Sequence, residues 1–243
     1  MALFIGKCMI NLLENTHFEW RCILENALGQ MDLDYLKQLE GSADWLPSNN
    51  AIFAAFSRPL SSTRYILLGE SPYPRAQSAN GFAFWDNAVD SLWSPKGLSK
   101  EVNRATSLRN WLKMLLLARG DLTDNFSQEA ITRLDKSRYV NTAKQLFESM
   151  LNKGFLLLNA SLVYSKGKVN YHARHWRPFI HSVLVQLAAY DSSRQLILFG
   201  KVAQEIPEAG LFPCLTAEHP YNISFITNPE VVSFFKPLDL LTP

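Results

Sequence analysis

Tyr65-Ile66-Leu67-Leu68-Gly69-Glu70-Ser71-Pro72-Tyr73-Pro74 is a short apolar run that stops at a glycine and breaks into a polar, proline-bearing loop. So short and uniformly apolar a run reads as a strand buried on both faces. The pattern recurs at Phe155–Leu158 before Asn159, at Leu196–Phe199 before Gly200, and at Cys214–Ala217 before Glu218-His219. Helical periodicity over Ser107–Ala118, Asn141–Asn152 and Pro178–Ala189 separates the first three runs, and a brief helical stretch, Lys201–Ile206, precedes the last. Strands alternating with helices predict an α/β fold, a three-layer αβα sandwich around a central four-stranded parallel sheet. Upstream, the apolar positions between residues 11 and 40 predict helices broken near Gly29–Asp32, and Ile52–Phe56 reads as a further short helix. No repeat, low-complexity tract or linker interrupts the 243 residues, so a single domain is expected, with residues 1–44 as a helical N-terminal region.

Composition narrows the class. Apolar residues make up 47% and charged residues 19%, enough for a sizeable core and unlike a disordered or fibrous chain. Apolar runs such as Met114–Ala118 fall far short of the roughly 18 residues that span a bilayer, so no membrane partner is expected. The N-terminus has a lysine within its apolar stretch and no small-residue cleavage site, so it reads as a frayed arm or short helix rather than a signal peptide. Cys8, Cys22 and Cys214 are scattered, which offers no disulfide framework and no metal pair and fits a reducing cytoplasm. A net charge of +2 means that any nucleic-acid footprint must be local.

In a parallel sheet all strands point the same way, and ligands bind outside their C-terminal ends. Gly69-Glu70-Ser71, Asn159, Gly200-Lys201 and His219 are therefore expected to share one edge. Asn159 is either a turn cap or an amide offering a donor and an acceptor to a pyrimidine-like edge. His219 is either structural or an acid/base group. Gly69-Glu70-Ser71 resembles half of a serine-hydrolase nucleophile elbow, but Pro72 replaces the second glycine and spoils the turn.

In order and spacing these motifs resemble the uracil-DNA glycosylase family. Its Gly-Gln-Asp-Pro-Tyr-His is matched by Gly69-Glu70-Ser71-Pro72-Tyr73-Pro74, and its Ala-His-Gly-Leu-x-Phe by Ala79-Asn80-Gly81-Phe82-Ala83-Phe84. Pro-Pro-Ser-Leu-x-Asn is echoed by Ala105-Thr106-Ser107-Leu108-Arg109-Asn110, and Leu-Leu-Leu-Asn-x-x-Leu by Leu156–Leu162. The family's downstream histidine and tryptophan fall at His172 and Trp176, and its His-Pro-Ser-Pro-Leu-Ser loop at His219-Pro220-Tyr221-Asn222-Ile223-Ser224.

The resemblance implies hydrolysis of the N-glycosidic bond of uracil, or a related deaminated base, in DNA after base flipping. It implies that Phe84 stacks on the base, Asn159 reads its N3–H and O4 edge, and Tyr73 fills the space a thymine methyl needs. His219 would hydrogen-bond O2 as charge builds on the leaving base. Ile223 stands where the family inserts a leucine into the duplex. Ser107, Ser165, Ser224 and the main chain near Gly200 and Lys201 would hold phosphates. Lys166, Lys168, His172, Arg174, His175 and Arg177 would supply positive charge, their other reading being a solvated loop. No metal or cofactor is implied, and three scattered cysteines exclude the iron–sulfur branches. A monomer acting on single- or double-stranded DNA in the cytoplasm, or in a nucleus, is the expectation.

The sequence also departs from the pattern. Ser71 replaces the family's aspartate, and Glu70 precedes it as a carboxylate that could act in its place. Pro74 replaces a histidine, Ala105-Thr106 a Pro-Pro pair, and Tyr221-Asn222 a Ser-Pro pair. Ser71, Glu70 and His219 are the candidate catalytic residues. The alternative reading is a catalytically inactive glycosylase-fold module that binds DNA or protein.

Overall fold

The computed structural model describes residues 12–42, 44–201 and 206–243. Cys8, the N-terminal arm and most of the helical stretch expected over Lys201–Ile206 lie outside the described residues. The predicted runs form strands β1 (Tyr65–Gly69), β4 (Phe155–Asn159), β5 (Gln195–Phe199) and β6 (Cys214–Ala217) of one parallel sheet, in the order β4-β1-β5-β6. A two-residue turn joins the antiparallel pair β2 (Trp93–Ser94) and β3 (Gly97–Leu98), which sequence periodicity is too short to show. The helices are α1 (Arg21–Leu28), α2 (Leu33–Glu40), α3 (Lys100–Arg104), α4 (Thr106–Arg119), α5 (Gln128–Thr132), α6 (Ala143–Asn152), α7 (Val169–Tyr190) and α8 (Pro229–Phe235). The fold is thus the expected α/β class. The chain visits β4 on one side of β1 and β5 on the other, so the order of connections reverses at β1, where ligands of such sheets bind.

Two elements differ from the sequence reading. Ile52–Phe56 holds only a 3-10 turn, Ala54–Phe56. The helix expected to start at Pro178 instead starts at Val169 and carries Pro178 inside it. An internal proline costs a helix about 3 kcal/mol through a lost hydrogen bond and a clash. Here Trp176, Phe179, Ile180 and Val183 are all buried around it, and that packing outweighs the defect. Among the described residues, no helix is long and apolar enough to cross a membrane.

Described residues fall into two compact units. The first holds residues 12–42, 44–86, 154–197 and 206–214, and the second 87–153, 198–201 and 215–243. The first is built on an aromatic cluster in which Phe179 meets Trp176 at 5.1 Å, Phe53 at 6.0 Å and Phe56 at 6.3 Å between ring centroids. Buried Arg194 locks this unit by donating to the Thr63, Leu187 and Leu60 carbonyls. In the second, Trp111 of α4 packs on Phe199, Phe225 and Phe235 at 5.3–5.8 Å.

Phe179 is fully buried, so Phe179→Ala should lower the unfolding free energy by about 3–5 kcal/mol, measured by urea denaturation.

Candidate functional site

In the first unit, β1 and β4 pair in register from Tyr65↔Phe155 to Gly69↔Asn159. The pairing continues past the strand ends, because Ala160 N–H donates to the Gly69 carbonyl (2.8 Å) and Ser161 N–H to that of Glu70 (3.0 Å). The loop carrying Phe84 is sewn to β4 where Ala83 N–H donates to the Leu157 carbonyl (3.0 Å). Gly69 makes this approach feasible. A Cβ there would lie 2.7 Å from Asn159 Oδ1 and 2.9 Å from the Ala83 Cβ, closer than real Cβ atoms come.

The Asn159, Ala83 and Phe84 side chains lie around that glycine, and Tyr73 reaches the Phe84 backbone. Asn159 is only 2% exposed, and its amide makes no hydrogen bond to any described residue. Phe84 adopts φ = +63°, a left-handed conformation that costs a bulky residue on the order of 1–3 kcal/mol. Tyr73 Oη donates to the Phe84 carbonyl (3.2 Å) and helps hold it there. Burial, together with the Asp86 carboxylate nearby, pushes the Tyr73 phenol well above its usual pKa, so it stays a neutral donor. Asp86 is itself buried and paired with Arg75 at 2.8 Å. Ser71 is half-buried and Glu70 exposed, directly after β1. A planar aromatic side chain beside a buried amide with a donor and an acceptor to give suits a flat heterocycle with an amide edge.

Further along the first unit, Ser165 Oγ donates to the Asp44 carbonyl (2.8 Å) and meets His172 Nε2 at 3.0 Å. Tyr35 Oη lies 2.8 Å from His172 Nδ1. With its own proton on the Asp44 carbonyl, Ser165 accepts from Nε2–H, which leaves Nδ1 to accept from Tyr35, so His172 is neutral. Burial, with Lys168 and His175 nearby, holds its pKa below the usual value. The basic group is therefore split: His175 stacks on Tyr35 at 4.3 Å and Arg177 pairs with buried Glu208 at 2.7 Å. Lys166, Lys168 and Arg174 remain exposed, and no side-chain cap satisfies the N-terminus of α7 beside the two lysines.

The second unit carries His219. Gly200, at φ = +69°, sits so close beneath it that a Cβ would lie 2.9 Å from the His219 Cβ. Tyr221 N–H donates to His219 Nδ1 (3.1 Å), so the neutral ring carries its proton on Nε2, as a donor. Asn222 N–H donates to the His219 carbonyl (2.9 Å). Buried Asn110 on α4 aims its Nδ2 at three successive carbonyls, those of Pro220 (2.8 Å), Tyr221 (3.3 Å) and Asn222 (3.3 Å). Gly200, exposed Lys201, Thr216, Ala217, Glu218, His219 and Asn222 line a pocket of about 580 Å³. Ile223 is 80% exposed, Ser107 is half-buried in the first turn of α4, and exposed Ser224 hydrogen-bonds Glu218. Burial raises the Glu218 pKa, but bonds from Ser224 and Asn228 outweigh this and keep it below the usual value.

Sequence reasoning assigned no role to Asn110, Arg109 or Lys113. Arg109 and Lys113 are one turn apart on α4, and among the described residues neither meets a carboxylate. Burial and the Arg109 charge lower the Lys113 pKa. Their helical spacing was the available signal, but apolar neighbours masked it.

Known proteins are similar to this chain. Uracil-DNA glycosylase of Corynebacterium efficiens is 27% identical over 213 residues, 86% of this chain and 78% of the relative. That of Corynebacterium glutamicum is 25% identical, over 86% and 81%. The crystal structure of wild-type UNG from Nitratifractor salsuginis is 42% identical and superposes with a TM-score of 0.90, over 96% of this chain and 95% of that one. This chain belongs to the uracil-DNA glycosylase family. Mimivirus uracil-DNA glycosylase, 17% identical with a TM-score of 0.58, shares the fold. No family model matches the sequence.

Within this glycosylase, Phe84 and Asn159 come together around Gly69 in the first unit, and Tyr73 bonds the Phe84 carbonyl. Ser107, Lys201, His219, Ile223 and Ser224 belong to the second, and Ser165, Lys166 and Lys168 to the segment that leads into α7. Neutral His172 carries a pH dependence. Its folded pKa lies below the unfolded value of about 6.5, so its contribution to stability is complete above that pH and is lost as pH falls through it toward the folded pKa. The melting temperature should therefore fall between pH 7.5 and 5.5, and His172→Gln should show a smaller fall in the same calorimetric series.

Proposed function

We propose that this protein releases uracil from DNA by hydrolysing its N-glycosidic bond after the nucleotide is turned out of the strand. The observation that carries this is the buried Asn159 amide, without a hydrogen-bond partner among the described residues, set beside Phe84 over Gly69. A uracil edge pairs its N3–H with Oδ1 and its O4 with Nδ2, giving the amide a donor and an acceptor at once. Phe84 stacks on the ring, and neutral Tyr73 occupies the space of a thymine methyl.

In the reaction the C1′–N1 bond breaks, its electron pair stays on the base, water adds to C1′ and gives up a proton to solvent, and the released base takes up a proton in turn. His219 donates from Nε2–H to O2 as the leaving base becomes anionic, a preorganised electrostatic role. Ser71 hydrogen-bonds the attacking water, and the Glu70 carboxylate supplies the negative charge that favours the cationic sugar. Lys166, Lys168, Lys201, Ser107, Ser165 and Ser224 hold the phosphates, and Ile223 takes the space of the flipped base. The 243 residues act as one domain and as a monomer. The exposed, free Cys22 and Cys214 suit a reducing compartment such as the cytoplasm.

Purified protein should release free uracil from uracil-containing oligonucleotides in the presence of a chelator. Asn159→Asp should narrow the preference for uracil over cytosine by about 100-fold, since a mismatched buried polar pair costs a few kcal/mol. No release from any uracil substrate, single- or double-stranded, would leave the binding-module reading in its place.

The Ser71 substitution has its own test. Ser71→Asp, made alone and with Glu70→Gln, should raise the single-turnover rate on the order of 100-fold, because a fixed charge then faces the sugar. Adjacent carboxylates raise each other's pKa, so the double variant should gain more. A folded double variant with no gain would count against a water-orienting role at this position.

A further inference from the structure

We propose that Tyr221 is a second base-contacting side chain, whose ring stacks on a nucleobase neighbouring the flipped nucleotide while Ile223 enters the gap. The proposal rests on the uracil-excision reading. Tyr221 is 67% exposed, and among the described residues its ring makes no aromatic contact and its hydroxyl no hydrogen bond. Other exposed aromatics differ: the Tyr190 ring lies under Arg194 at 4.8 Å, and Phe18 meets the His17 ring at 4.5 Å.

The loop that carries Tyr221 is immobilised. Asn110 holds the carbonyls of Pro220, Tyr221 and Asn222, and the N–H groups of Tyr221 and Asn222 are both bonded to His219. A rigid loop presenting a bare tyrosine and a bare isoleucine two residues apart gains nothing within the protein. Stacking on a nucleobase would use both properties, since a preorganised aromatic loses little freedom on binding and every base has a π face. Nucleic acid is the occupant favoured over a protein surface because the Tyr221 N–H fixes the tautomer of His219, the group to which the uracil-excision reading gives the leaving base. The ring therefore belongs to the residue that contacts the proposed acid/base group. The family's serine at this position has no ring to stack.

The test uses a single-stranded oligonucleotide with 2-aminopurine beside uracil, whose fluorescence is quenched by stacking. Wild type and Tyr221→Phe should bind alike and quench alike. Tyr221→Ala should bind roughly 5- to 100-fold more weakly and lose the quenching. Its main-chain bonds to His219 and Asn110 survive, so uracil release at saturating DNA should persist, and circular dichroism checks the fold. Unchanged affinity and quenching in Tyr221→Ala would overturn the proposal, as would a Tyr221→Phe variant as impaired as the alanine. Uracil release with quenching independent of Tyr221 would overturn stacking alone. Binding and quenching that depend on Tyr221, without uracil release, would overturn the excision reading and leave stacking standing.

Discussion

The parallel register that sets Gly69 opposite Asn159 is the constraint on which the rest of the pocket depends. Two features combine there. The strand pair fixes where the asparagine Cα lies, and the absence of a Cβ on the facing residue lets its amide approach to a distance no other residue would allow. Shifting the register by one residue would send the asparagine to the opposite face of the sheet. Retaining the register but adding a methyl group at Gly69 would force Asn159 and Ala83 apart. The loop that carries Phe84 is bonded to the same strand, so the aromatic ring and the amide share a single frame.

This frame is costly. A left-handed phenylalanine destabilises the chain by on the order of 1–3 kcal/mol, an appreciable share of the stability of an ordinary domain, and the Asn159 amide has no hydrogen-bond partner among the described residues. Such defects persist only where surrounding structure over-determines them. Here the aromatic cluster around Phe179, the in-register strands and the Tyr73 bond supply that support. The pocket is thus preorganised before any base arrives, and binding one relieves a cost already met by folding.

A different economy holds the loop after His219. The resembling family motif places a second proline in this loop, and this chain places Asn222 there. Proline would restrict the backbone but could not donate, whereas Asn222 N–H bonds the His219 carbonyl and Asn110 gathers three carbonyls in a row. Hydrogen bonds replace ring constraint. The departure from the family's proline is, in the structure, a rigid turn.

Much was legible in the chain itself. Four short apolar runs ending in Gly69, Asn159, Gly200 and His219 determined the strands and the sheet edge, because a buried strand and its polar terminus are local properties of sequence. Position along the chain alone could not show that Pro178 lies inside a helix, because burial of Trp176 and Phe179 decides that and is a tertiary quantity. Nor could it separate Lys166 and Lys168 from His175 and Arg177, since a basic residue looks the same whether it faces solvent or Tyr35 and Glu208. The positive φ of Phe84, the burial of Asn159 and the three-carbonyl grip of Asn110 depend on partners distant in sequence. Residue types and their order therefore determined the strands and named the candidate groups. Only the tertiary structure decided which polar atoms were already satisfied, because hydrogen bonding and burial depend on where the rest of the chain returns in space.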